Sequence, residues 1–380
     1  MASKTPLPPA GYATADLPAE FMQRGREKFA RFAAEAKERG SIFVLCHSDA
    51  DGLTTGAILT RALRRAGATV EVQATGKGGS AWSDETAALL AERRPAGLIV
   101  GDLGVRAEPA WSDGPTFFID HHRPSGLPPD ADTHVVTGYG LEPTPTSALL
   151  ALMCVGGLEG VDVEDLDWIA ALGVLGDLGD KAPFGLLGPA KKLYGAGVLR
   201  DATTLVNAPR RSASGDPSAA LKLMLESVHP REIAAGESPE ADSLRRDKEE
   251  VAAAYTEAKK AAPKFAGVAA AIKIHTPCQI HPLVAQIWRT RLPKNIVMGV
   301  NTGYRPGWVH FSARCGKDRN LLDFFREHRP AGADSRSYGQ GHDQAGGGAL
   351  PVPVWNEFAR ELGFGPEMLV ETEAASSHAP

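Results

Sequence analysis

The sequence predicts an α/β fold in two parts: a parallel-sheet domain, then a smaller mixed α/β domain, joined by a helical linker. Three observations predict it. The chain has 380 residues, which is long for a single hydrophobic core. From Ser41 to about Leu199, short apolar runs alternate with helical stretches, the pattern of a mostly parallel sheet covered by helices. Near Asp201 the composition changes, and a second alternating region begins at about Val268.

Residues 42–46, 98–100 and 117–119 read as buried strands, because they are short, apolar and bounded by polar turns. Helical segments run over 55–66, 84–93 and 147–155, and an apolar helix starts near Trp168. Residues 242–262, rich in Ala, Glu, Lys and Arg, read as one long helix connecting two lobes. The second lobe has strands at 268–274, 295–300 and near 308–313, a helix over 283–292, and a glycine-rich loop over 338–348. The Pro/Ala-rich start and the small, polar end are expected to be disordered. The expected divisions are an N-terminal tail at 1–25, the first domain at 26–200, the linker at 201–262, the second domain at 263–371 and a C-terminal tail at 372–380.

Hydrophobic residues make up 43% and charged residues 23%, ordinary for a soluble globular chain. No apolar run approaches the roughly 18 residues of a membrane helix, and no leader-like apolar core opens the sequence. The expectation is a cytoplasmic protein without a membrane partner. Cys46, Cys154, Cys278 and Cys315 are scattered without a C-x-x-C pair and read as reduced, mostly buried thiols. A net charge of −5 argues against broad binding to long duplex DNA, which relies on many Lys/Arg–phosphate contacts. It leaves nucleotide substrates open, because divalent ions offset acidic residues locally.

Four Asp/His motifs stand at the ends of apolar elements. H-S-D-A-D-G, residues 47–52, follows the first strand, and His47, Asp49 and Asp51 take alternate positions that project to one side of an extended segment. A strand-to-helix turn with an Asp cap is the other reading of that segment. G-D-L-G, residues 101–104, puts Asp102 at a strand's carboxyl end, where a plain turn competes. I-D-H-H-R, residues 119–123, gathers Asp120, His121 and His122 where no core packing asks for them. G-V-L-G-D-L-G-D, residues 173–180, ends an apolar helix with Asp177 and Asp180, as a glycine-capped helix would also do. Ligands of parallel-sheet proteins sit beyond the carboxyl ends of the strands, so these motifs can form one cluster. Carboxylates and imidazoles without thiols suit manganese or a similar divalent ion better than structural zinc. Two such ions would clamp a phosphoryl group, acidify a bridging water and stabilise the leaving oxygen.

In this combination and order, over about residues 40–180, the motifs resemble those of the DHH phosphoesterases. That superfamily holds RecJ-type exonucleases and NrnA-type oligoribonucleases, and its name motif stands here as Asp120, His121 and His122. The resemblance implies a DHH catalytic domain with two divalent metal ions, most readily manganese. One ion would be held by His47, Asp49 and Asp102, the other by Asp51, Asp102, His121 and Asp177, with Asp102 bridging. His122 and Asp120 would be catalytic, His122 facing the scissile phosphate and Asp120 orienting a ligand imidazole. RecJ-type sequences often carry Asp where His47 stands, which puts the occupancy of that ion in question. Asp180 has no family role and reads as support for a ligand or as a cap.

The second half resembles the DHH-associated domain, which implies a substrate-binding role. F-S-A-R, residues 311–314, matches its Ser-x-Arg strand. S-Y-G-Q-G-H-D-Q-A-G-G-G, residues 337–348, matches its G-G-H loop, with Gln340 in place of a glycine. Arg314, Gly339, Gly341 and His342 would hold phosphate there, through glycine backbone and a guanidinium fork. Arg289 and Arg291 either extend a basic wall or form the solvated face of their helix. The implied activity is two-metal-dependent phosphodiesterase or exonuclease hydrolysis of single-stranded DNA or RNA, or short oligonucleotides, by metal-activated water. A cyclic dinucleotide or cyclic nucleotide phosphodiesterase is the alternative within the superfamily. A non-catalytic replication scaffold is the reading from a different class, disfavoured because every ligand position is filled. A homodimer is compatible with each.

Overall fold

The computed structural model describes residues 11–334 and 337–371. Its first sheet consists of β1 Ile42–Cys46, β2 Val70–Ala74, β3 Gly97–Gly101, β4 Thr116–Asp120 and β5 Val135–Thr137. The strands are all parallel, in the order β2-β1-β3-β4-β5. β1 and β3 are buried along their whole length, so they read as unbroken apolar runs. β2 and β5 were not expected: β2 carries Glu71 and Gln73 on an edge, both exposed, and β5 is only three residues long.

Alternation along β1 feeds two cores. Ile42, Val44 and Cys46 pack with the helices Ala50–Arg65, Ser147–Val155 and Asp167–Asp177. Phe43 and Leu45 pack with Leu90, Leu98, Val100 and Phe118 on the opposite face. The chain leaves β1 toward β2 on one side and returns to β3 on the other. Loops from the carboxyl ends of β1 and β3 therefore diverge at this reversal of strand order, the position where parallel-sheet proteins bind ligands.

The glycines of the G-V-L-G-D segment set how closely the helices meet. A Cβ on Gly173 would lie 2.5 Å from the Cβ of Ala148 and 2.9 Å from Oδ1 of Asp51. A Cβ on Gly176 would lie 2.5 Å from the Cβ of Ala50. Close approach at these points seats the end of helix Asp167–Asp177 against the first turn of helix Ala50–Arg65.

Several boundaries differ from expectation. The helix Ala19–Arg39 occupies part of the expected N-terminal tail, because Phe29, Phe32, Ala33 and Ala36 form a helical stripe that packs on Phe117 and its neighbours. Residues 1–10 and the expected tail at 372–380 lie outside the described residues. Residues 201–262 do not stand apart as a linker. One unit runs to Arg210 and includes Ser214–Lys248; the other comprises Arg211–Ala213 and continues from Glu249. Helices Ala196–Val206 and Ser218–Glu226 bury Leu199, Leu205, Val206 and Met224 in the first core, so they cannot serve as a spacer. The long helix is Pro239–Ala258; Ala241 and Leu244 belong to the first core, while Val251, Ala254 and Ala258 pack in the second unit.

The second unit has a six-stranded mixed sheet. It contains β6 Lys264–Ala266, β7 Ala269–Ile274, β8 Ile296–Arg305, β9 Trp308–Arg314, β10 Tyr338–His342 and β11 Ala345–Pro351, in the order β10-β11-β9-β8-β7-β6. Only β7 and β8 pair in parallel, and the helix His281–Arg291 makes their crossover. Helices Leu321–Glu327 and Val352–Glu361 cover the other face around Phe311, Phe325, Trp355 and Phe358. The expected glycine-rich loop is the hairpin β10–β11. Its glycines serve close strand packing: a Cβ on Gly347 would lie 2.4 Å from the carbonyl oxygen of Phe311. Among the described residues, no helix is long and apolar enough to cross a membrane.

Because Gly173 has no room for a methyl group, Gly173→Ala should destabilise the protein by about 1–3 kcal/mol in a urea titration. Gly188→Ala, whose Cβ meets open space, should change stability by less than about 0.5–1 kcal/mol. Equal effects would show that helix spacing at Gly173 is not the constraint.

Candidate functional site

The cluster residues leave the carboxyl ends of strands and of one helix. His47 directly follows β1, and its N–H donates to the carbonyl of Gly101 at 3.1 Å. Asp49 is the N-cap of helix Ala50–Arg65, with Oδ1 accepting from the Gly52 N–H at 3.0 Å. Asp51 sits in the first turn of that helix. The strand-to-helix turn thus brings His47 and Asp49 together, while Asp51 turns to the amides of helix Ser147–Val155, in place of the convergence of all three by strand alternation that was expected.

Asp51 is only 2% exposed and points at the start of helix Ser147–Val155. Its Oδ2 accepts from the Ser147 N–H at 2.8 Å and its Oδ1 from the Ala148 N–H at 2.9 Å. These amides and the positive helix end replace the hydration that burial removes. Asp102 follows β3 with φ 61°, a left-handed conformation that side-chain-bearing residues seldom hold. The Ser147 hydroxyl donates to its Oδ1 at 2.8 Å. Asp120, the last residue of β4, accepts from the Gly104 N–H at 2.7 Å and the His122 N–H at 2.6 Å. Its Oδ1 also faces His122 Nδ1 at 3.1 Å, so it orients His122 and not the expected ligand His121.

Nδ1 of His47 lies 3.1 Å from Asp49 Oδ2 and 3.6 Å from Asp102 Oδ2. That buried nitrogen has no aligned hydrogen-bond partner despite the short approach. A ring nitrogen and two carboxylates that face one point are a donor set that could hold a divalent cation. Asp102, His121 and His122 form a second group of converging ligand atoms, so Asp102 belongs to both groups. The expected second set is assembled only in part. His121 Nε2 is 3.5 Å from Asp102 Oδ1 and 3.9 Å from Asp51 Oδ2, but it is Nδ1 that lies 3.8 Å from Asp177 Oδ2. One ring nitrogen ligates one ion, so the ring as placed turns different edges to Asp51 and Asp177. Both oxygens of Asp51 are also occupied by amides. The donor chemistry, imidazole and carboxylate without thiol, fits a divalent ion of the manganese or magnesium kind.

Crowding of acids sets their protonation. Burial holds the Asp51 carboxyl well above the usual carboxylate range, and Asp102 and Asp177 push the same way. Asp102 is raised by burial and by Asp49. Asp49 moves oppositely: burial opposes it, yet His47 and Arg210 hold it well below the usual range. Burial alone would lower His47, but Asp49 and Asp102 outweigh it and push the imidazole up to about 10. His122 is likewise opposed by burial and pushed up to about 9, chiefly by Asp120. A metal ion entering this cluster would displace such protons, which is how affinity and pH become linked.

Three participants had no sequence signal tied to the site. Ser147 supports both Asp51 and Asp102, as above. Asn207 Oδ1 accepts from the Ala50 N–H at 2.9 Å, and Arg210 Nη1 donates to Asp49 Oδ2. Both lie in the stretch expected to be the linker, and no spacing rule joins residue 210 to residue 49. Asp180 stands aside: it pairs with Lys191 at 3.2 Å and Arg200 at 3.3 Å near the surface.

In the second unit, strand register joins two expected residues. Arg314 on β9 faces Ala345 on β11, which faces His342 on β10. Directly opposed residues of antiparallel strands share a face, so Arg314 and His342 flank Ala345. Arg314 is braced, with Nη1 donating to Ser312 Oγ at 2.9 Å and to the Ala313 carbonyl at 2.8 Å. Its Nε donates to Gln286 Oε1 at 3.3 Å. Gly339 and Gly341 have φ 71° and 127°, and a Cβ on Gly341 would lie 2.3 Å from the Ala345 carbonyl oxygen. Those glycines serve the hairpin itself. Arg289 and Arg291 do not form one wall: Arg289 Nε donates to the Cys315 carbonyl at 3.2 Å, and Arg291 stacks on Trp288 at 5.0 Å.

No family model and no curated protein matches this sequence. Solved structures do share its fold. Exonuclease RecJ bound to manganese superposes with TM-score 0.65 and 22% identity, over 91% of this chain and 94% of that one. RecJ in complex with Mn2+ from Thermus thermophilus gives TM-score 0.68 and 22% identity over 93% of this chain, which spans only 55% of that chain. The DHH domain of a ribosomal-protein family member gives TM-score 0.63 and 16% identity, over 92% of this chain and 93% of that one.

The Ser147 hydroxyl fixes Asp102, while its backbone N–H, which alanine keeps, holds Asp51. Ser147→Ala should therefore weaken manganese binding by about tenfold through Asp102 alone, measured by calorimetry, while the circular dichroism spectrum is unchanged. Unaltered affinity would mean that the hydroxyl does not position Asp102.

Proposed function

We infer, for a chain that has the RecJ-like fold of the DHH superfamily, a divalent-metal-dependent phosphodiesterase acting on single-stranded or short oligonucleotides. The observation that carries this reading is Asp102, a buried carboxylate shared by two groups of nitrogen and oxygen ligands at the carboxyl ends of β1, β3 and β4. RecJ structures hold Mn2+ or Mg2+, and this donor set suits either ion.

His47, Asp49 and Asp102 would hold one ion, and Asp51, Asp102, His121 and Asp177 the other. When bound, the ions supply charge neutralisation at phosphoryl oxygens and an acidified water. The protein's own groups supply orientation and proton control. Asp120 grips His122 through Nδ1, which leaves Nε2 as the nitrogen free to meet a phosphoryl or leaving oxygen. The His122 side chain is 47% exposed, so substrate can reach it, while Asp120 beneath it is sealed from solvent. Arg314 and His342, on one face of the second sheet, are proposed to bind substrate phosphate; the guanidinium is pre-braced by Ser312 and Gln286. Retention of the His47/Asp49/Asp102 group favours catalysis over a scaffold role.

Asp102→Ala should reduce turnover by more than about a hundredfold, because it removes a ligand from both groups. Near-normal turnover in the folded variant would refute the shared-ligand reading. Manganese should activate better than magnesium, and calcium should support little turnover. The double variant Arg314→Ala with His342→Ala should lose more activity on oligonucleotides than on a small chromogenic phosphodiester, since remote binding energy positions the reacting phosphorus. Equal losses would show that the pair supports the fold. A panel of oligonucleotide lengths against cyclic dinucleotides decides which nucleotide class is preferred.

A further inference from the structure

We propose that Arg210 is an internal counter-ion that trades partners: it neutralises Asp49 in the metal-free protein and passes to a substrate phosphate once a divalent ion takes Asp49. The proposal rests on the metal-centre reading above.

The two oxygens of Asp49 have different duties. Oδ1 accepts from the Gly52 N–H and caps the helix. Oδ2 is the oxygen that faces His47 Nδ1 at 3.1 Å, and it is also the acceptor of Arg210 Nη1. A cation ligated by His47 and Asp49 would thus compete with the guanidinium for one oxygen. Arginine cannot escape by losing its proton. A divalent ion on Oδ2 places like charge beside it and draws electron density from its acceptor, so the pair with Asp49 is weakened.

Arg210 is also poorly satisfied where it is. Its Nε is buried without a hydrogen-bond partner. The pair engages Asp49 through Nη1 alone and leaves Nε unused, so the bidentate fork that a guanidinium offers an oxyanion is not filled by Asp49. The side chain is 22% exposed, so an incoming group can reach it. The fork matches two oxygens of a phosphate, and no neutral ligand would restore the charge balance.

The guanidinium cannot simply drift away when displaced. Arg210 lies in the turn Pro209–Arg211, just after helix Ala196–Val206. Asn207 ties that helix end to the Ala50 N–H at 2.9 Å, on the first turn of the helix that Asp49 caps. The backbone thereby keeps Arg210 beside the cluster while its side chain exchanges acceptors.

The test compares wild type, Arg210→Gln and Arg210→Lys in the full chain by calorimetric titration. Manganese is titrated first; deoxyadenosine 5′-monophosphate and deoxyadenosine are then titrated into the manganese-loaded protein. In Arg210→Gln, manganese should bind at least about threefold more tightly, because a competing cation is gone. The monophosphate should bind about tenfold more weakly, and the phosphate-free nucleoside should be unaffected. Arg210→Lys should keep manganese affinity within about twofold of wild type yet bind the monophosphate less well, since an ammonium lacks the fork. Without metal, Arg210→Gln should melt lower than wild type, and manganese should restore it. Opposite movement of the two affinities supports the proposal. Weakening of both, or monophosphate binding that does not change, overturns it while leaving the metal centre intact. Failure of the wild-type protein to bind manganese removes the metal-centre reading, and the partner exchange with it.

Discussion

Asp51, Asp102 and Asp120 are buried in one cluster with Asp49, and carboxylates so crowded repel one another unless each finds a donor. The rest of the first unit follows from meeting that demand. Helix Ser147–Val155 turns its first amides on Asp51, and the Ser147 hydroxyl holds Asp102. The Gly104 and His122 amides hold Asp120, and Arg210 holds Asp49. These donors come from segments scattered through the chain, so the cluster forms only when the sheet and its covering helices are all in place. Gly173 and Gly176 are part of the same constraint, since a side chain at either would push Asp51 and its helix away from their partners.

The compensation is uneven, and that unevenness is informative. Asp120 is fully paired and acts as a fixed support for His122. Asp49 and Asp102 instead turn oxygens toward His47, whose Nδ1 lacks an aligned bond, and Asp102 adopts a left-handed backbone to stay there. Strain and an unsatisfied polar atom concentrated at one point mark a candidate ligand site, where a cation would satisfy the His47 nitrogen. His121 presents different nitrogens to Asp51 and Asp177, so ion binding at the second position requires side-chain rearrangement. The second unit has its own aromatic core, and on its sheet Arg314, Ala345 and His342 share a row.

Much of this was legible in the sequence, for a local reason. The strand at 42–46, the helices at 84–93 and 147–155, and the placement of Asp102 and Asp120 at strand ends follow from apolar runs that stop abruptly at polar residues. The D-H-H triplet and its companion motifs drew attention to these positions because chemically unusual residues stood at those stops, and the structure brings His47, Asp49, Asp102, His121 and His122 of them into two groups. Strands β2 and β5 were missed, since short or half-exposed strands carry weak periodicity, and the N-terminal helix was passed over although its apolar stripe of Phe29, Phe32, Ala33 and Ala36 is helical in spacing. The hairpin β10–β11 was misread as a loop because glycine signals flexibility locally, whereas here it permits strands to approach.

The sequence by itself thus determined the alternating architecture and most of the candidate ligands, because hydrophobic period and chain punctuation are properties of neighbouring residues. Only the tertiary structure decided how those ligands are held. Asp49 became a helix cap and the partner of Arg210, Asp51 and Asp102 acquired Ser147, and Asp120 chose His122 over His121. Apart from the Asp49 cap and the Asp120–His122 pair, these pairings join residues far apart in the chain. Such contacts depend on helix spacing, strand order and burial, which no local pattern of residues records.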